Sequence, residues 1–382
     1  MSIKLSFGST VLRRSIKSNS LDGISIYTRA LLEQIRKNCE FTVKTCVFAR
    51  RSSLDAELSA TCLQEYQVCR NYVEIAAWQT ILGHAHPALR ACDESFDLFH
   101  ATDHLIPKLK SKPVVATVMD AIPLTQPALI NSRLRHFKAY AFKKAIQSVQ
   151  RVITISDFSA QELIEHAGIP EHKIDITPLA CDQRFFVRIP SQERSSRLQK
   201  LGIQSPYLLF IGTIQPRKNV ERLIRAYYAL PKEILTSHEL VIAGSLREDM
   251  QDLLPILTQH RSIGNVRWLK YVSDDDLVAL MQSSVALVIP SLYEGFGLPV
   301  LEGFASQVPV LSSNSSSLPE VCADAALLFD PLSIEAMRDA MISVIDQPDL
   351  SLSLKSRGQE RVKSFSWTQT AQLTVQSYYK AM

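Results

Sequence analysis

Short apolar runs alternate with longer helix-like segments along almost the whole chain. The run from Val285 to Ile289 is typical, because it is short, apolar and rich in β-branched residues, as in a strand buried on both faces. This alternation predicts an α/β protein with parallel sheets. In the first half it predicts strands at Ile3 to Phe7, Phe41 to Phe48, Leu98 to His100, Val114 to Val118, Val152 to Ile155 and Ile174 to Thr177, and helices over Gly23 to Lys37, Leu134 to Ser148 and Ser159 to His166.

The pattern restarts after a polar, basic stretch from Arg188 to Lys200, which has no apolar periodicity. We interpret this stretch as the linker between two domains. A helix around Trp367 to Tyr379 is predicted at the end of the chain, but the pattern alone assigns it to neither domain. In the second half the pattern predicts strands at Tyr207 to Gly212, Leu240 to Ala243, Val266 to Trp268, Val285 to Ile289 and Ala326 to Phe329, and helices from Val220 and over Ile334 to Ile345.

Length and composition narrow the class of protein. A chain of 382 residues is too long for one ordinary core and indicates two domains. No run of eighteen apolar residues is present, which argues against a membrane span, and the N-terminal residues resemble a first strand rather than a signal peptide. The seven cysteines are scattered without CxxC pairs, as in a reducing compartment. These features predict a cytoplasmic protein.

Positive charge is concentrated in one part of the chain. The net charge is only +4, but the segment from His104 to Arg151 contains nine Lys or Arg residues and a single acid, Asp120. Between Arg133 and Arg151 the cations alternate with aromatic residues on a predicted helix. Such a surface suits peripheral contact with an anionic membrane or with a lipid-diphosphate acceptor. A solvated helix face is the plainer interpretation.

The segment from Pro290 to Glu302 carries the clearest chemistry. It follows a predicted strand, and Gly295 and Gly297 allow a sharp bend before a helix whose N-terminus attracts anions. The carboxylates of Glu294 and Glu302 do not neutralise a phosphate, but they accept hydrogen bonds from the hydroxyls of a hexose and a ribose. The segment therefore suggests a nucleotide-sugar site. The alternative is a glycine turn with two solvated glutamates.

A second segment, Gly212-Thr-Ile-Gln-Pro-Arg-Lys-Asn219, follows the first strand of the second half. Ligands of such folds bind at the carboxyl edge of the sheet, where Arg217 and Lys218 would reach a diphosphate. As ordinary surface cations they would need no explanation. Together with the segment from Pro290 to Glu302, they predict that phosphate and sugar bind at one edge of one domain.

Several motifs together resemble the second domain of retaining glycosyltransferases of the two-Rossmann (GT-B) type, and specifically family 4 with its Glu-x7-Glu pattern. The resemblance extends over most of the chain, because two segments of the first half are also similar to that family. The motifs are Arg217-Lys-Asn219, Ser291 to Glu302, Val308-Pro-Val310 and Leu318-Pro-Glu-Val321, with Val152 to Ser159 and Lys173 to Pro178 in the first half.

The resemblance implies an architecture and a donor. It implies two Rossmann-like domains with parallel sheets facing across a cleft: an acceptor-binding domain over residues 1–188 and a nucleotide-sugar-binding domain over residues 201–364. It also implies that the helix over residues 365–382 returns to the first domain. The nucleoside diphosphate sugar is a substrate, and neither a cofactor, a metal ion nor a nucleic acid partner is expected.

The resemblance also implies roles for individual residues. In the second domain Glu294 would contact sugar hydroxyls, Glu302 would hold the ribose, and Arg217 and Lys218 would hold the diphosphate as it leaves. Gly23 would begin the glycine loop of the first domain. The backbone that would line the hexose and the phosphates belongs to Gly295, Phe296, Gly297, Leu298, Gly212 and Thr213.

The chain departs from the family pattern at three places. Thr213 follows Gly212 where many relatives have arginine, Gly23 stands alone where relatives often have two glycines, and Met119 replaces a histidine of a Thr-x-His-Asp motif. Without that histidine, the departing phosphate oxygen can itself take the proton of the acceptor. Asp120 and His100 are then the candidates for orienting the acceptor hydroxyl.

The resulting hypothesis is a retaining hexosyltransferase that acts on a lipid-linked glycan in surface polysaccharide or O-antigen synthesis. A GDP-linked mannose or deoxymannose is our interpretation of the donor, from the likeness to mannosyl- and rhamnosyl-transferring relatives. Two alternatives remain: a transferase that makes a soluble glycoside, and a non-catalytic nucleotide-sugar-binding partner subunit. The acidic run Asp274-Asp-Asp276 after Ser273 is interpreted as a helix N-terminus rather than a metal site.

Overall fold

The computed structural model describes residues 2–18, 22–49, 66–70, 72–86, 89, 95–125, 135–258 and 264–382. The chain divides into two compact units. The first unit comprises Met1–Leu179 together with Trp367–Met382, and the second comprises Ala180–Ser366.

The first unit is built on a parallel sheet in the strand order β3-β2-β1-β4-β5-β6-β7, counting the described residues. Its inner strands are buried on both faces because helices cover the sheet. The strands are β1 (Ile3–Gly8), β2 (Phe41–Ala49), β3 (Tyr66–Arg70), β4 (Leu98–Ala101), β5 (Val114–Thr117), β6 (Arg151–Thr154) and β7 (Ile174–Ile176). The helices are Thr10–Ser18, Gly23–Arg36, Tyr72–Leu82, Ile122–Thr125, Arg135–Gln147, Asp157–Glu162 with the π-turn Leu163–Ala167, the 3-10 turn Glu171–Lys173, and Trp367–Ala381.

The second unit has its own parallel sheet, with the order β10-β9-β8-β11-β12-β13 over the part of the chain that is described. Its strands are β8 (Tyr207–Ile211), β9 (Glu239–Ala243), β10 (Asn265–Leu269), β11 (Ala286–Ile289), β12 (Val310–Ser313) and β13 (Leu327–Phe329). The α-helices are Ser191–Lys200, Val220–Tyr228, Lys232–Ser237, Leu254–Thr258, Asp274–Ser283, Leu298–Ala305, Leu318–Cys322, Ile334–Asp346 and Pro348–Val362, and the 3-10 turns are Gln183–Phe186, Pro216–Lys218 and Glu248–Leu253.

The two sheets confirm the predicted α/β class with parallel strands. In both units the strand order reverses direction next to the first strand of the sheet: β1 lies between β2 and β4, and β8 lies between β9 and β11. Such a switch point opens a crevice at the carboxyl ends of the strands, which is where open α/β sheets bind ligands. The segments after β8 and β11 are those singled out from the sequence.

The prediction that Arg188 to Lys200 forms the linker between the domains is wrong. Ser191–Lys200 is a helix of the second unit, and the chain passes between the units at Leu179 and Ala180. The helix lacks an apolar stripe because it is held partly by charge: Arg197 pairs with Glu193 within the helix and with Asp276 at 3.1 Å. The polar composition of Ser191–Lys200 therefore did not indicate a helix, although this helix packs against the helix Asp274–Ser283.

The last helix, Trp367–Ala381, packs on the first unit against β5, β6, β7 and the helix Gly23–Arg36. Polar bonds hold it to β7, because Ser377 Oγ and Lys380 Nζ both donate to the carboxylate of Asp175. Tyr378, next to Ser377, is fully buried. The helix is therefore an integral part of the first unit.

Candidate nucleotide-sugar site

The loops after β8 and β11 meet at the carboxyl edge of the second sheet. The backbone N–H of Leu292 donates to the carbonyl of Arg217 at 2.7 Å, and Arg217 Nη1 donates to the carbonyl of Tyr293 at 3.0 Å. Asn219 closes the turn from a left-handed conformation, and its side-chain amide donates to the carbonyl of Pro290 at 3.0 Å. These bonds fix one loop against the other, so the two segments converge as predicted.

The carboxylate of Glu294 binds both cations of the first segment. Arg217 Nη1 donates to Oε2 at 2.7 Å, while Lys218 Nζ and Ser291 Oγ both donate to Oε1. Glu294 and Lys218 are buried, and Arg217 is partly exposed. The three charged groups therefore form one ionic cluster with a single net positive charge.

The cluster keeps Glu294 ionised. Burial by itself would raise the pKa of this carboxyl, but the positive charges of Lys218 and Arg217 and the hydrogen bond from Ser291 outweigh it and lower the pKa to about 2. Because two cations face one carboxylate, the cluster retains the capacity to hold an anion such as a diphosphate.

Serines from the segment after β12 hold the backbone around Glu294. Ser316 Oγ accepts the backbone N–H of Glu294 at 2.9 Å, and Ser317 Oγ donates to the carbonyls of Glu294 and Phe296 at 2.9 and 3.0 Å. Sequence reasoning missed these residues. The serine-rich run from Ser312 to Ser317, which begins in β12 and continues past its end, was the signal that could have identified them.

Glycines make the turns of the site possible. Gly297 precedes the helix Leu298–Ala305 with φ of +106°, and a Cβ there would lie 2.7 Å from Leu318 Cδ2. Gly212 has φ of +137° and is followed by the exposed Thr213. The carbonyl oxygen of Gly212 lies so close to Gly244 that a Cβ on Gly244 would be 2.1 Å away. Gly244, directly after β9, is therefore a structural residue beside the Gly212 turn that no sequence motif indicated.

Glu302 lies within the helix that begins at Leu298 and is buried. Among the described residues no hydrogen bond reaches its carboxylate. Burial raises its pKa to about 7; Asp182 and Asp274 add to the rise, and Arg184 and Lys218 oppose it. The environment of Glu302 is thus opposite to that of Glu294, although both side chains belong to the same strand-loop-helix segment.

The predicted residues of the first unit lie at the carboxyl ends of its strands and at the start of a helix. Gly23 is the first residue of the helix Gly23–Arg36, which is capped by the side chain of Asp22 accepting the N–H of Ser25 at 2.9 Å. Asp120 is partly exposed shortly after β5, and its Oδ1 accepts the N–H of Ile122 at 3.1 Å. Both positions are compatible with contact to a ligand of this unit.

The interpretation of His100 as an acceptor-orienting residue is corrected by the structure. His100 is fully buried in β4, its Nδ1 is hydrogen-bonded to the hydroxyl of Tyr378 at 2.7 Å, and its Nε2 to that of Thr117 at 2.8 Å. Burial lowers its pKa to about 3, so the ring is neutral at physiological pH. With both ring nitrogens occupied, His100 joins the last helix to the sheet.

The acidic run Asp274-Asp-Asp276 forms the first turn of a helix, as predicted. Ser273 is the N-cap and its Oγ accepts the N–H of Asp276 at 3.2 Å. Arg184 pairs with Asp274 and Arg197 with Asp276. These contacts confirm that the carboxylates serve the helix N-terminus and nearby arginines.

Two units, each with a parallel sheet and a switch point, together with a cationic site at the carboxyl edge of the second sheet, define a two-domain α/β enzyme class. Solved structures share this fold: the Anabaena protein Alr3699/HepE, crystallised with UDP and glucose, aligns with a TM-score of 0.73 over 99% of both chains at 16% identity. The fold is that of the GT-B glycosyltransferases.

Sequence comparison identifies the family. Residues 192–361 match the family "Glycosyl transferases group 1", and residues 21–184 match "Glycosyltransferase Family 4". The O-antigen chain mannosyltransferase B of Escherichia coli is 32% identical over 74% of this chain and 74% of its own length. The serotype-specific mannosyltransferase WbdA of Escherichia coli is 30% identical over 70% of this chain, which spans 33% of that longer protein. The chain belongs to the family 4 glycosyltransferases.

Proposed function

We propose that this protein is a retaining, metal-independent hexosyltransferase of surface polysaccharide synthesis. It takes a mannosyl or deoxymannosyl group from a GDP-linked donor and transfers it to a lipid-linked glycan of the O-antigen type. The observation that carries the proposal is the ionic cluster of Glu294, Arg217 and Lys218 at a switch point of the sheet.

The cluster and its surroundings suit a nucleoside diphosphate sugar. Arg217 and Lys218 supply the positive charge that would hold a diphosphate and stabilise it as it departs, the task that a metal ion performs in other transferases. Gly297, with φ of +106°, allows the sharp turn in which the backbone of Gly295, Phe296 and Gly297 would line the hexose in this proposal. The carboxylate of Glu302 accepts no hydrogen bond from the described residues, so it would be available to accept hydrogen bonds from ribose hydroxyls.

The proposed transfer needs no strong base. The bond between the anomeric carbon and the oxygen of the β-phosphate breaks, and the acceptor oxygen bonds to that carbon on the same face. The acceptor proton passes to the departing phosphate oxygen, so the products are the glycoside and the nucleoside diphosphate. Glu294 positions the sugar, Arg217 and Lys218 stabilise the developing charge, and Asp120 is the remaining candidate for orienting the acceptor hydroxyl.

The names of the relatives support mannose and a polysaccharide chain as substrates. The relatives that carry this support are mannosyltransferases, and the first acts on O-antigen chains by its name. The nucleotide is less constrained, because the structurally similar HepE was crystallised with UDP. A GDP-linked donor is therefore the part of the proposal that needs the most direct test.

A panel of nucleotides and nucleotide sugars tests the donor. A ligand that binds only the folded protein raises its apparent melting temperature, and we expect GDP and GDP-mannose to give larger shifts than UDP, ADP or their sugars. Transfer is then measured with the preferred donor and a lipid-linked glycan, with and without EDTA, and the anomeric configuration of the product is determined by NMR. A larger shift with UDP would contradict the GDP assignment.

Further outcomes distinguish the alternatives. Inversion of the anomeric centre, or loss of activity with EDTA, would contradict the proposed mechanism. Equal transfer to soluble and lipid-linked acceptors would favour an enzyme that makes soluble glycosides. If the nucleotide binds but neither transfer nor donor hydrolysis is seen, the protein is a non-catalytic partner subunit and the proposed activity is wrong.

A further inference from the structure

Asp103 lies at the switch point of the first sheet and has no part in the mechanism described above. It follows β4 by two residues, and β4 pairs with β1 on one side and with β5 on the other. The carboxyl ends of the strands at such a point form the crevice in which open α/β sheets bind ligands. The first unit therefore has a carboxylate at the place where the second unit has Glu294.

The turn after β4 holds Asp103 in place. Thr102 is fully buried, and its Oγ1 donates to the carbonyl of Gly8 at 2.7 Å, which ties the turn to the end of β1. Asp103 is partly buried, and its Oδ1 accepts the N–H of Leu105 at 2.8 Å, as in an Asx-turn. Among the described residues, none donates a hydrogen bond to Oδ2. One oxygen thus fixes the side chain, and the other can accept a hydrogen bond from a ligand.

Charged and polar groups from several elements act on Asp103. Burial is the largest effect and raises the pKa of its carboxyl. The backbone hydrogen bond of the turn and the positive charges of His104 and Arg14 oppose this rise, whereas Asp22 adds to it. Tyr72 is also close, because the charge of Asp103 adds to the rise that burial causes in the pKa of the Tyr72 hydroxyl. The carboxylate is therefore poorly hydrated, which favours a hydrogen bond from a ligand hydroxyl.

The neighbouring strand is followed by a second carboxylate, that of Asp120. β4 and β5 pair with Ala101 opposite Ala116, so Asp103 and Asp120 follow their strands at the same edge of the sheet. Neighbouring strands lie about 4.8 Å apart. Carboxylates at two such strand ends can contact different hydroxyls of one hexose.

We propose that Asp103 is a positioning residue that accepts a hydrogen bond from a non-reacting hydroxyl of the acceptor sugar, while Asp120 orients the hydroxyl that reacts. The sugar is then held at two points, so that one particular hydroxyl is presented to the donor. His100 cannot supply the second contact, because both of its ring nitrogens are already bonded. The inference rests on the proposed function and adds a residue that selects the acceptor.

The test needs an acceptor whose hydroxyls can be removed one at a time. The proposed acceptor carries its glycan on a lipid, and no helix in the described ranges is long and apolar enough to cross a membrane beside it. Asp103 would contact only the sugar. The probes are therefore octyl glycosides of mannose, glucose, galactose and N-acetylglucosamine, followed by the monodeoxy analogues of the one that the wild type uses best.

D103N keeps an oxygen for the turn and places an amide donor where the free carboxylate oxygen was. We expect kcat/KM for the acceptor to fall roughly 10- to 100-fold, as for the loss of a hydrogen bond to a charged group. Donor hydrolysis and the Kd of the nucleoside diphosphate should stay at wild-type values, because the donor site belongs to the second unit.

The decisive measurement combines the variant with the deoxy analogues. With the analogue that lacks the contacting hydroxyl, the wild type should lose roughly the same 10- to 100-fold in kcat/KM, and D103N should lose almost nothing more. A purely structural role of Asp103 would not produce this non-additivity. D103S, whose hydroxyl can form a similar turn, repeats the measurement independently.

The matched control is D97N, at the other end of the same strand. Asp97 directly precedes β4, and its Oδ2 accepts the N–H of Lys4 at 2.9 Å. The substitution removes the same charge at the opposite edge of the sheet, so it should leave kcat/KM for the acceptor unchanged. The melting temperature of each variant is measured alongside.

Three results would overturn the inference. They are an unchanged kcat/KM for the acceptor in D103N, a matching loss of donor hydrolysis in that variant, and losses that multiply for every deoxy analogue. Absence of transfer by the wild type to these glycosides and to the lipid-linked glycan would instead contradict the proposed function itself. Wild-type transfer together with an unaltered D103N would contradict only the role of Asp103.

Discussion

Glu294 and Glu302 show how environment separates two identical side chains. Glu294 faces Arg217 and Lys218 and stays ionised far below neutral pH, whereas Glu302 has no hydrogen-bonding partner among the residues that the structure describes and its pKa rises to about 7. The first is hydrogen-bonded within the protein and holds two cations in place, and in the proposed function it also contacts the sugar. The second has no such bond within the described residues, so its burial favours the protonated form in the ligand-free protein.

Substitution of these two residues should have different consequences. Glu294→Gln disturbs the groups around the reacting sugar, so we expect transfer to fall by roughly 100-fold while the Kd for the nucleoside diphosphate changes little. Glu302→Gln should instead weaken nucleotide binding by roughly tenfold, because one of the two carboxylate oxygens that would accept from ribose hydroxyls is replaced by an amide donor. The measurements are steady-state kinetics and calorimetric titration. Matching losses in both quantities for the two variants would contradict the assigned roles.

The raised pKa of Glu302 predicts a pH dependence of stability in the ligand-free protein. Its folded pKa of about 7 lies above its usual 4.5, so the folded protein binds the extra proton between these values and its stability falls as pH rises through this range. Above pH 7 the full cost is present, about 3 kcal/mol for the shift. The unfolding free energy of Glu302→Gln relative to that of wild type should therefore increase from pH 5 to pH 8, which are about the two ends of that window. Urea unfolding at both pH values measures this difference. If the unfolding free energies of Glu302→Gln and wild type differ by the same amount at both pH values, this would contradict the burial of a charged carboxylate.

At the residue scale, the spacing of sequence motifs predicted the positions of site residues better in the second unit than in the first. Arg217 and Glu294 could be brought together from sequence because the carboxyl ends of neighbouring parallel strands share one edge. His100 could not be assigned correctly, because its burial depends on Tyr378, which is 278 residues away in the chain. No local pattern reports a hydrogen bond of that separation.

Some turns depend on close backbone contacts that cannot be inferred from the sequence, and the turn after β9 is one example. Gly244→Ala would place a Cβ 2.1 Å from the carbonyl oxygen of Gly212, so backbone must move at the proposed phosphate turn. We expect a loss of about 2 kcal/mol or more in unfolding free energy, together with weaker nucleotide binding. Gly83→Ala is the control: it also has positive φ but nothing within 4 Å, and it should cost about 1 kcal/mol without affecting the nucleotide.

The last helix offers a matched pair of adjacent tyrosines. Tyr378→Phe removes the partner of His100 Nδ1 in a fully buried network, so we expect a loss of about 1–3 kcal/mol in unfolding free energy. Tyr379→Phe removes an exposed bond to Glu40 and should have an effect close to zero. Chemical denaturation of both variants checks this. Equal effects would mean that the His100 bond adds little to the stability of the first unit.

At the element scale, most strands and the main helices followed from periodicity, since buried parallel strands read as short apolar runs. The helix Ser191–Lys200 did not, because its packing uses ion pairs such as Arg197 with Asp276. The helices Thr10–Ser18 and Tyr72–Leu82 and the strand β3 were also not predicted. The latter helix exposes Trp78, Ile81 and Leu82 to solvent, so its apolar positions do not mark a core face.

At the scale of the whole molecule, the chain crosses between the two units twice, at Leu179 to Ala180 and at Ser366 to Trp367. Truncation after Ser366 should therefore destabilise the first unit, which loses the bonds to His100 and Asp175, and spare the second unit, which is contiguous. Limited proteolysis should cleave within residues 2–179 and leave a fragment that still shows the nucleotide-induced thermal shift. Equal protection of both units, or equal loss, would contradict this division.

The return of the last helix also has a consequence for synthesis on the ribosome. The second unit, Ala180–Ser366, is complete in sequence before the residues that finish the first unit have been translated. Until Tyr378 emerges, the imidazole of His100 lacks one of its two partners. The first unit therefore stays incomplete until the helix Trp367–Ala381 has been translated. The order of translation and the order of completion are thus reversed for the two halves of this enzyme.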